Sequence, residues 1–277
     1  MWVTDIRPVP EFLQGTQGCL FSIYYPPHPE APQRGSILYI HPFAEELNKS
    51  RRMAALQARR FAAAGFAVLM PDLYGCGDSR GDFADARWTI WHADLRLCLD
   101  WLLAHSTPPL YFWGLRLGGL LAAELARQAP AVGLILWQPV ITGGVLLTQF
   151  LRLRLAAGML SGNQETLAQL RAELAAGQVL EVAGYELHPE LAGALEQARL
   201  PMPSPGAGIQ VNWFEVVATP ERPLALASQQ LLQRWQNEGV AVTAQTVVGE
   251  PFWSTQEICC VPALLEATIR SLCQVAW

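Results

Sequence analysis

The sequence predicts an α/β protein built on a mostly parallel, doubly wound sheet with one helical insertion. Three observations predict it. Short apolar runs alternate with long amphipathic ones, and strands covered by helices on both faces read as continuous apolar runs. Of 277 residues, 51% are hydrophobic and only 16% charged, which is enough to fill a large core and excludes disordered and charged-repeat classes. The alternation then lapses from about Thr142 to Leu200, where helical patterns alone are found. Three segments follow: residues 1–141 and 207–277 as the two parts of the core, and 142–206 as a helical lid between them.

In chain order, Leu20 to Tyr25 (LFSIYY) reads as a strand stopped by Pro26-Pro27, and Ser36 to His41 (SILYIH) as a buried strand stopped by Pro42. Ser50 to Ala64 has helical spacing and ends at Gly65. Phe66 to Leu73 (FAVLMPDL) is a strand. Asp85 to His105 is a helix with Trp88, Trp91, Leu95 and Leu99 on one face. Strand Leu110 to Trp113, helix Leu117 to Gln128 and strand Gly133 to Trp137 come next. In the insertion, Val145 to Leu160, Asn163 to Ala176 and His188 to Arg199 read as helices, and Pro201 to Gly206 as a linker. Strand Ile209 to Val217, helix Ala225 to Gly239, strand Val242 to Val248 and helix Val261 to Val275 complete the pattern.

The net charge of −5 and pI near 5.6 argue against nucleic acid as a partner. The longest apolar run, Phe61 to Met70, is far short of the ~20 residues of a spanning helix. No leader pattern opens the chain. The cysteines 19, 76, 98, 259, 260 and 273 form neither a CxxC pair nor a metal-ligand spacing, so they read as small hydrophobes in a reducing cytoplasm. No metal or cofactor is expected.

The window Leu110 to Leu125 carries the most chemistry. An apolar strand runs straight into Gly114-Leu115-Arg116-Leu117-Gly118-Gly119 and then into a helix. This is the strand–turn–helix context of the G-x-S-x-G elbow, whose glycines let two backbones pass closely. The turn presents its central side chain, here Arg116, at the mouth of the sheet beside a helix N-terminus.

With these residues the chain resembles the α/β-hydrolase superfamily over nearly its whole length. SILYIH followed by His41-Pro42-Phe43 resembles the oxyanion loop of that fold, and FAVLMPDL followed by Tyr74 to Ser79 resembles its D-x-x-G-x-G-x-S loop. The helical segment 142–206 stands where the superfamily carries its lid. More narrowly, HPFAEELNKSRRM (41–53), GLRLGG (114–119) and GEPFW (249–253) together resemble the exosortase A system-associated hydrolases, type 2. That group is associated with bacterial exopolysaccharide and sorting-signal loci.

Against this resemblance the triad reads as degenerate. A guanidinium stays protonated and offers no lone pair, so Arg116 is no nucleophile. The superfamily brings a histidine after its last strand; here the histidines are 28, 41, 92, 105 and 188, and the matching loop is Gly249 to Trp253. Glu221 is the nearest match to the orienting acid. A fixed cation in a partly desolvated cleft requires an anion. Glu45, Glu46, Glu221 and Glu250 are the internal candidates. A ligand carboxylate or phosphate is the external one, and the two can coexist. The expected ligand-binding residues are Arg116, Leu117, His41, Phe43, Glu45, Glu221, Phe252 and Trp253, with Thr148, Phe150 and Leu151 as lid packing. Two functions remain open. One is a binding protein for a small anionic or acyl ligand or a partner protein. The other is a hydrolase or acyl-transfer enzyme in which His41 and Glu45 activate water and Arg116 stabilises an oxyanion. Gly77 to Gly81 matches G-x-S-x-G literally but lacks the strand and helix around it, so Ser79 reads as a turn residue and Cys76 as a buried thiol.

Overall fold

A computed structural model describes residues 6–161, 165–200 and 208–273. Along the chain come β1 (Val9–Gln14), β2 (Cys19–Tyr25), β3 (Gly35–Ile40), α1 (Glu45–Ala63), β4 (Phe66–Pro71), α2 (Trp88–His105), β5 (Leu110–Leu115), α3 (Leu117–Ala126) and β6 (Ala131–Trp137). Then follow α4 (Gly143–Ser161), α5 (Leu167–Ala175), β7 (Leu180–Val182), β8 (Tyr185–Leu187), α6 (Pro189–Gln197), β9 (Gln210–Val217), α7 (Leu226–Asn237), β10 (Ala241–Val248) and α8 (Pro262–Cys273). Eight strands form one sheet in the order β1-β2-β4-β3-β5-β6-β9-β10. The pairs β1–β2 and β2–β4 are antiparallel, and every pair from β4 to β10 is parallel.

Successive strand residues point to opposite faces. Leu38, Ile40, Leu69, Phe112, Leu134, Leu136 and Trp213 fill the face covered by α2, α3 and α7. Ile37, Tyr39, Val68, Tyr111, Trp113, Ile135, Trp137 and Phe214 fill the face covered by α1 and α8. Both alternate sets are apolar because both faces are covered, which is why these strands carry no polar alternation.

Several elements differ from the sequence expectation, each for a local reason. β1 precedes the first expected strand. It contains Pro10, and an edge position tolerates the missing N–H. α1 starts at Glu45 rather than Ser50, after Ala44 turns the chain at φ 49° and ψ −124°. The expected Asp85 helix start is instead a short 3-10 turn, Phe83–Asp85, and α2 begins at Trp88. The stretch expected to hold only helices also holds the β7–β8 hairpin. Its two-residue turn is Ala183-Gly184, both at positive φ, a geometry that hairpins favour. Asn163, Val275 and the expected linker 201–206 lie outside the described residues.

The stretch between β6 and β9 leaves and rejoins the sheet at one place. Gly143 N–H donates to Ala198 O at 2.8 Å, and Leu200 N–H donates to Ile141 O at 2.9 Å. This anchoring sets α4 across the carboxyl ends of the parallel strands, beside the turn between β5 and α3.

Candidate functional site at the β5–α3 turn

The chain leaves β5 and enters α3 through a single residue, Arg116, at φ 55° and ψ −113°. A non-glycine residue in that region costs on the order of 1–3 kcal/mol and persists only when its surroundings fix it. Here Arg116 N–H donates to Trp137 O at 3.0 Å, and Gly119 N–H donates to Arg116 O at 3.1 Å. Two glycines make the crossing possible. A Cβ on Gly114 would run into the Gly118 and Gly119 backbone, and one on Gly118 into the Ile40 carbonyl. The sheet's central strands and the start of α3 therefore approach more closely than any side chain would allow.

Arg116 is buried, its side chain 10% exposed. Its Nε–H donates to Glu46 Oε1 at 3.0 Å, and Nη2–H donates to Gln149 Oε1 at 2.7 Å. Its guanidinium lies 5.5 Å from the centroid of the Trp253 ring, within cation–π range. Among the described residues, Nη1 has no hydrogen-bonding partner. Four elements meet here. Phe43 comes from the turn before α1 and Glu45 and Glu46 from its first turn; Leu146, Gln149, Phe150 and Leu153 come from α4, and Trp253 and Ser254 from the loop after β10. With Arg116 they line a cavity of about 350 Å³. Phe43 and Phe150 pack edge to face at 5.0 Å in its wall.

Electrostatics in this cavity are set by burial. Desolvation pushes the Glu46 carboxyl up to about 7, although the Arg116 guanidinium beside it pulls the other way. Glu45 is raised by the same cause, against its own backbone N–H, Lys49 and Arg116. One oxygen of each carboxyl, Oε2, is buried without a hydrogen-bond partner among the described residues. At neutral pH Glu46 therefore divides between a carboxylate that neutralises Arg116 and an acid that leaves the guanidinium charge free.

The other expected site residues lie elsewhere. Leu117 is buried as the first residue of α3, and Phe252 packs edge to face with both Trp253 and Trp137. Glu221 and Glu250 are exposed and do not line the cavity. His41 lines a different, much smaller space with Tyr39, Arg51 and Asp72. Its Nε2 accepts the Leu73 N–H at 3.3 Å, so Nδ1 carries the proton and donates to Pro42 O at 2.7 Å. Burial keeps this imidazole neutral by lowering its affinity for a second proton. Ser79 donates to Asp72 O at 2.5 Å and accepts the Phe21 N–H at 2.8 Å, which makes it a clasp between loop and sheet. Cys76 is buried, and desolvation raises its thiol far above the range of a reactive one.

Sequence reasoning missed Gln149, Leu146, Leu153 and Ser254. Gln149 had a signal, as a neutral polar residue inside the apolar run Val145 to Leu151. Among the described residues, no cluster of three or more His, Cys, Asp or Glu side chains could hold a metal ion.

A parallel sheet with antiparallel strands at one end, a one-residue turn from a central strand into a helix, and helices over the carboxyl edge define the α/β-hydrolase fold. A model of the serine aminopeptidase S33 family matches residues 31–190, more than half of the chain, and the chain belongs to that family. No curated protein matches it in sequence. Among solved structures, Est1E from Butyrivibrio proteoclasticus with bound ferulic acid is similar at a TM-score of 0.64 and 14% identity, over 96% of this chain and 100% of that one. A soluble variant of the monoglyceride lipase of Saccharomyces cerevisiae with a substrate analogue is similar at 0.63 and 14%, over 98% and 96%. XC6422 from Xanthomonas campestris, a serine hydrolase without a lid, is similar at 0.56 and 16%, over 98% and 97%. No helix among the described residues is long and apolar enough to cross a membrane.

Proposed function

We propose that this protein binds a small anionic or acyl ligand in the cavity at the β5–α3 turn and has left the serine–histidine–acid relay behind. One observation carries the reading: the side chain at the elbow is a guanidinium that lines the cavity and keeps Nη1 unengaged. A carboxylate, phosphate or polarised carbonyl accepts from Nη1, and an apolar body lies along Phe43, Leu146, Phe150 and Leu153. Residues 142–206 act as the lid, α4 closing the cavity and Gln149 latching it to Arg116. The bacterial exopolysaccharide and exosortase setting, a cytoplasmic location and a partner protein at the same face belong to this proposal through the motifs at 41–53, 114–119 and 249–253.

A second reading has its own support. Glu45 lines the same cavity with a carboxyl raised by burial, the direction that suits a general base, while Arg116 stands ready for an oxyanion. This is a hydrolase without an acyl-enzyme. His41 has no place in it, since both ring nitrogens are already engaged.

Calorimetric titration with octanoate and with octanol separates the readings from their failure. Octanoate is expected to bind and octanol to bind weakly. Arg116→Gln is expected to weaken octanoate by roughly tenfold or more, the value of one charge-assisted hydrogen bond. Octanoate affinity unchanged in that variant overturns the proposal. Short-chain ester turnover that is lost in Glu45→Gln selects the second reading.

A further inference from the structure

Arg116 is already held by one anion. Glu46 Oε1 accepts its Nε–H at 3.0 Å, and both residues are buried. The charged and titratable groups that face Glu46 come from three elements. The elbow supplies Arg116, and α1 supplies Glu45 and Lys49. Tyr39 of β3 is in range, but burial raises its phenol so far that it stays neutral. Among the described residues, α4 and the loop after β10 line the cavity with uncharged side chains alone. Two cations thus face two carboxylates, and the charges balance.

A ligand carboxylate accepting from Arg116 Nη1 brings a third anion. It shares one guanidinium with Glu46. Two carboxylates on one guanidinium stand within about 4–6 Å of each other, where like charges drive one of the pair to take a proton. Glu46 is built to take it. Its Oε2 is buried without a hydrogen-bond partner among the described residues, so a proton there breaks no bond while Oε1 goes on accepting from Nε–H.

We infer that the cavity takes up a carboxylate ligand together with one solvent proton, and that Glu46 is the group that receives it. The inference rests on the binding reading above and adds its regulation: a monocarboxylate enters as the equivalent of its neutral acid, and pH sets its affinity through Glu46. The sign follows from linkage. Burial already raises the Glu46 carboxyl to about 7. Below that pH the proton is in place and affinity is level. Above it each ligand must draw a proton from a thinner supply, and affinity falls. Glu46 acts through Arg116 as a positioning residue, and the pH profile is the readout that a merely structural role would not move.

Calorimetric titration of the full chain with octanoate, in buffers of different ionisation heat, reads the proton directly. Nearly one proton per octanoate is expected to be taken up at pH ~8 and almost none at pH ~6, with affinity falling roughly tenfold between the two. Glu46→Gln keeps an acceptor for Nε–H but cannot titrate. It is expected to bind octanoate without proton uptake, with level affinity from pH ~6 to ~8, and roughly tenfold more tightly than wild type at pH ~8. Glu45→Gln is expected to keep the uptake. Wild-type binding without proton uptake at pH ~8 overturns the inference and leaves the binding reading standing. Uptake that survives in Glu46→Gln overturns the assignment to Glu46. Octanoate that binds at no pH overturns the binding reading and the inference with it.

Discussion

Glu46→Gln isolates the electrostatics of the cavity. Glu46 is 9% exposed at its side chain, bonded to Arg116 through Oε1, with Oε2 unpartnered among the described residues. The groups that act on it are Arg116, Glu45 and Lys49. Its carboxyl titrates near 4.5 when exposed and is pushed up to about 7 in the fold. A raised pKa means that the folded state holds the proton more tightly. The stability this gives is complete below about 4.5 and is lost as pH rises through about 7. At 1.36 kcal/mol for each unit, the loss is at most roughly 3 kcal/mol. Glutamine cannot titrate, but its amide oxygen still accepts from Arg116 Nε–H. The variant is therefore expected to gain on the wild type as pH rises, by up to roughly 3 kcal/mol between pH ~5 and ~8. Asp94, raised to about 6 by burial, slopes the wild-type profile in the same direction but cancels in the difference. Urea unfolding at several pH values reads the effect. A difference that stays flat, or a wild type that gains on the variant above pH ~7, refutes the reasoning, since either would mean that the Arg116 pairing outweighs desolvation.

Gly118→Ala places a methyl against the Ile40 carbonyl, where only backbone could yield. A loss of roughly 2–3 kcal/mol is expected in urea unfolding, and a change below about 0.5 kcal/mol would mean the crossing is not tight. Ser79→Ala removes a donor to Asp72 O and an acceptor for the Phe21 N–H. It is expected to cost about 1–3 kcal/mol of stability while leaving octanoate affinity unchanged; lost affinity with unchanged stability would move Ser79 from clasp to site.

The glycines at 114 and 118 made the elbow legible because close backbone approach has a residue requirement that local sequence must satisfy. The partner of Arg116 was legible only as a set. In the sequence Glu45, Glu46, Glu221 and Glu250 all read as loop residues that could reach it. Glu46 has the role because α1 begins at once after Ala44 and turns its first residues inward, while Glu221 and Glu250 stay in solvent. Gln149 sits 33 positions after Arg116, on a helix whose placement no local rule gives. The β7–β8 hairpin escaped because three-residue strands are too short to show a period. β1 escaped because a proline that is excluded from a central strand is welcome at an edge.

Sequence alone determined the alternation of strands and helices, the elbow and the identity of the residue at its tip, since periodicity and backbone sterics are local. Tertiary structure decided which carboxylate neutralises that residue and that His41 is spent on backbone groups. These depend on desolvation and on distances between segments far apart in the chain, and a charge feels its whole surroundings rather than its neighbours in sequence.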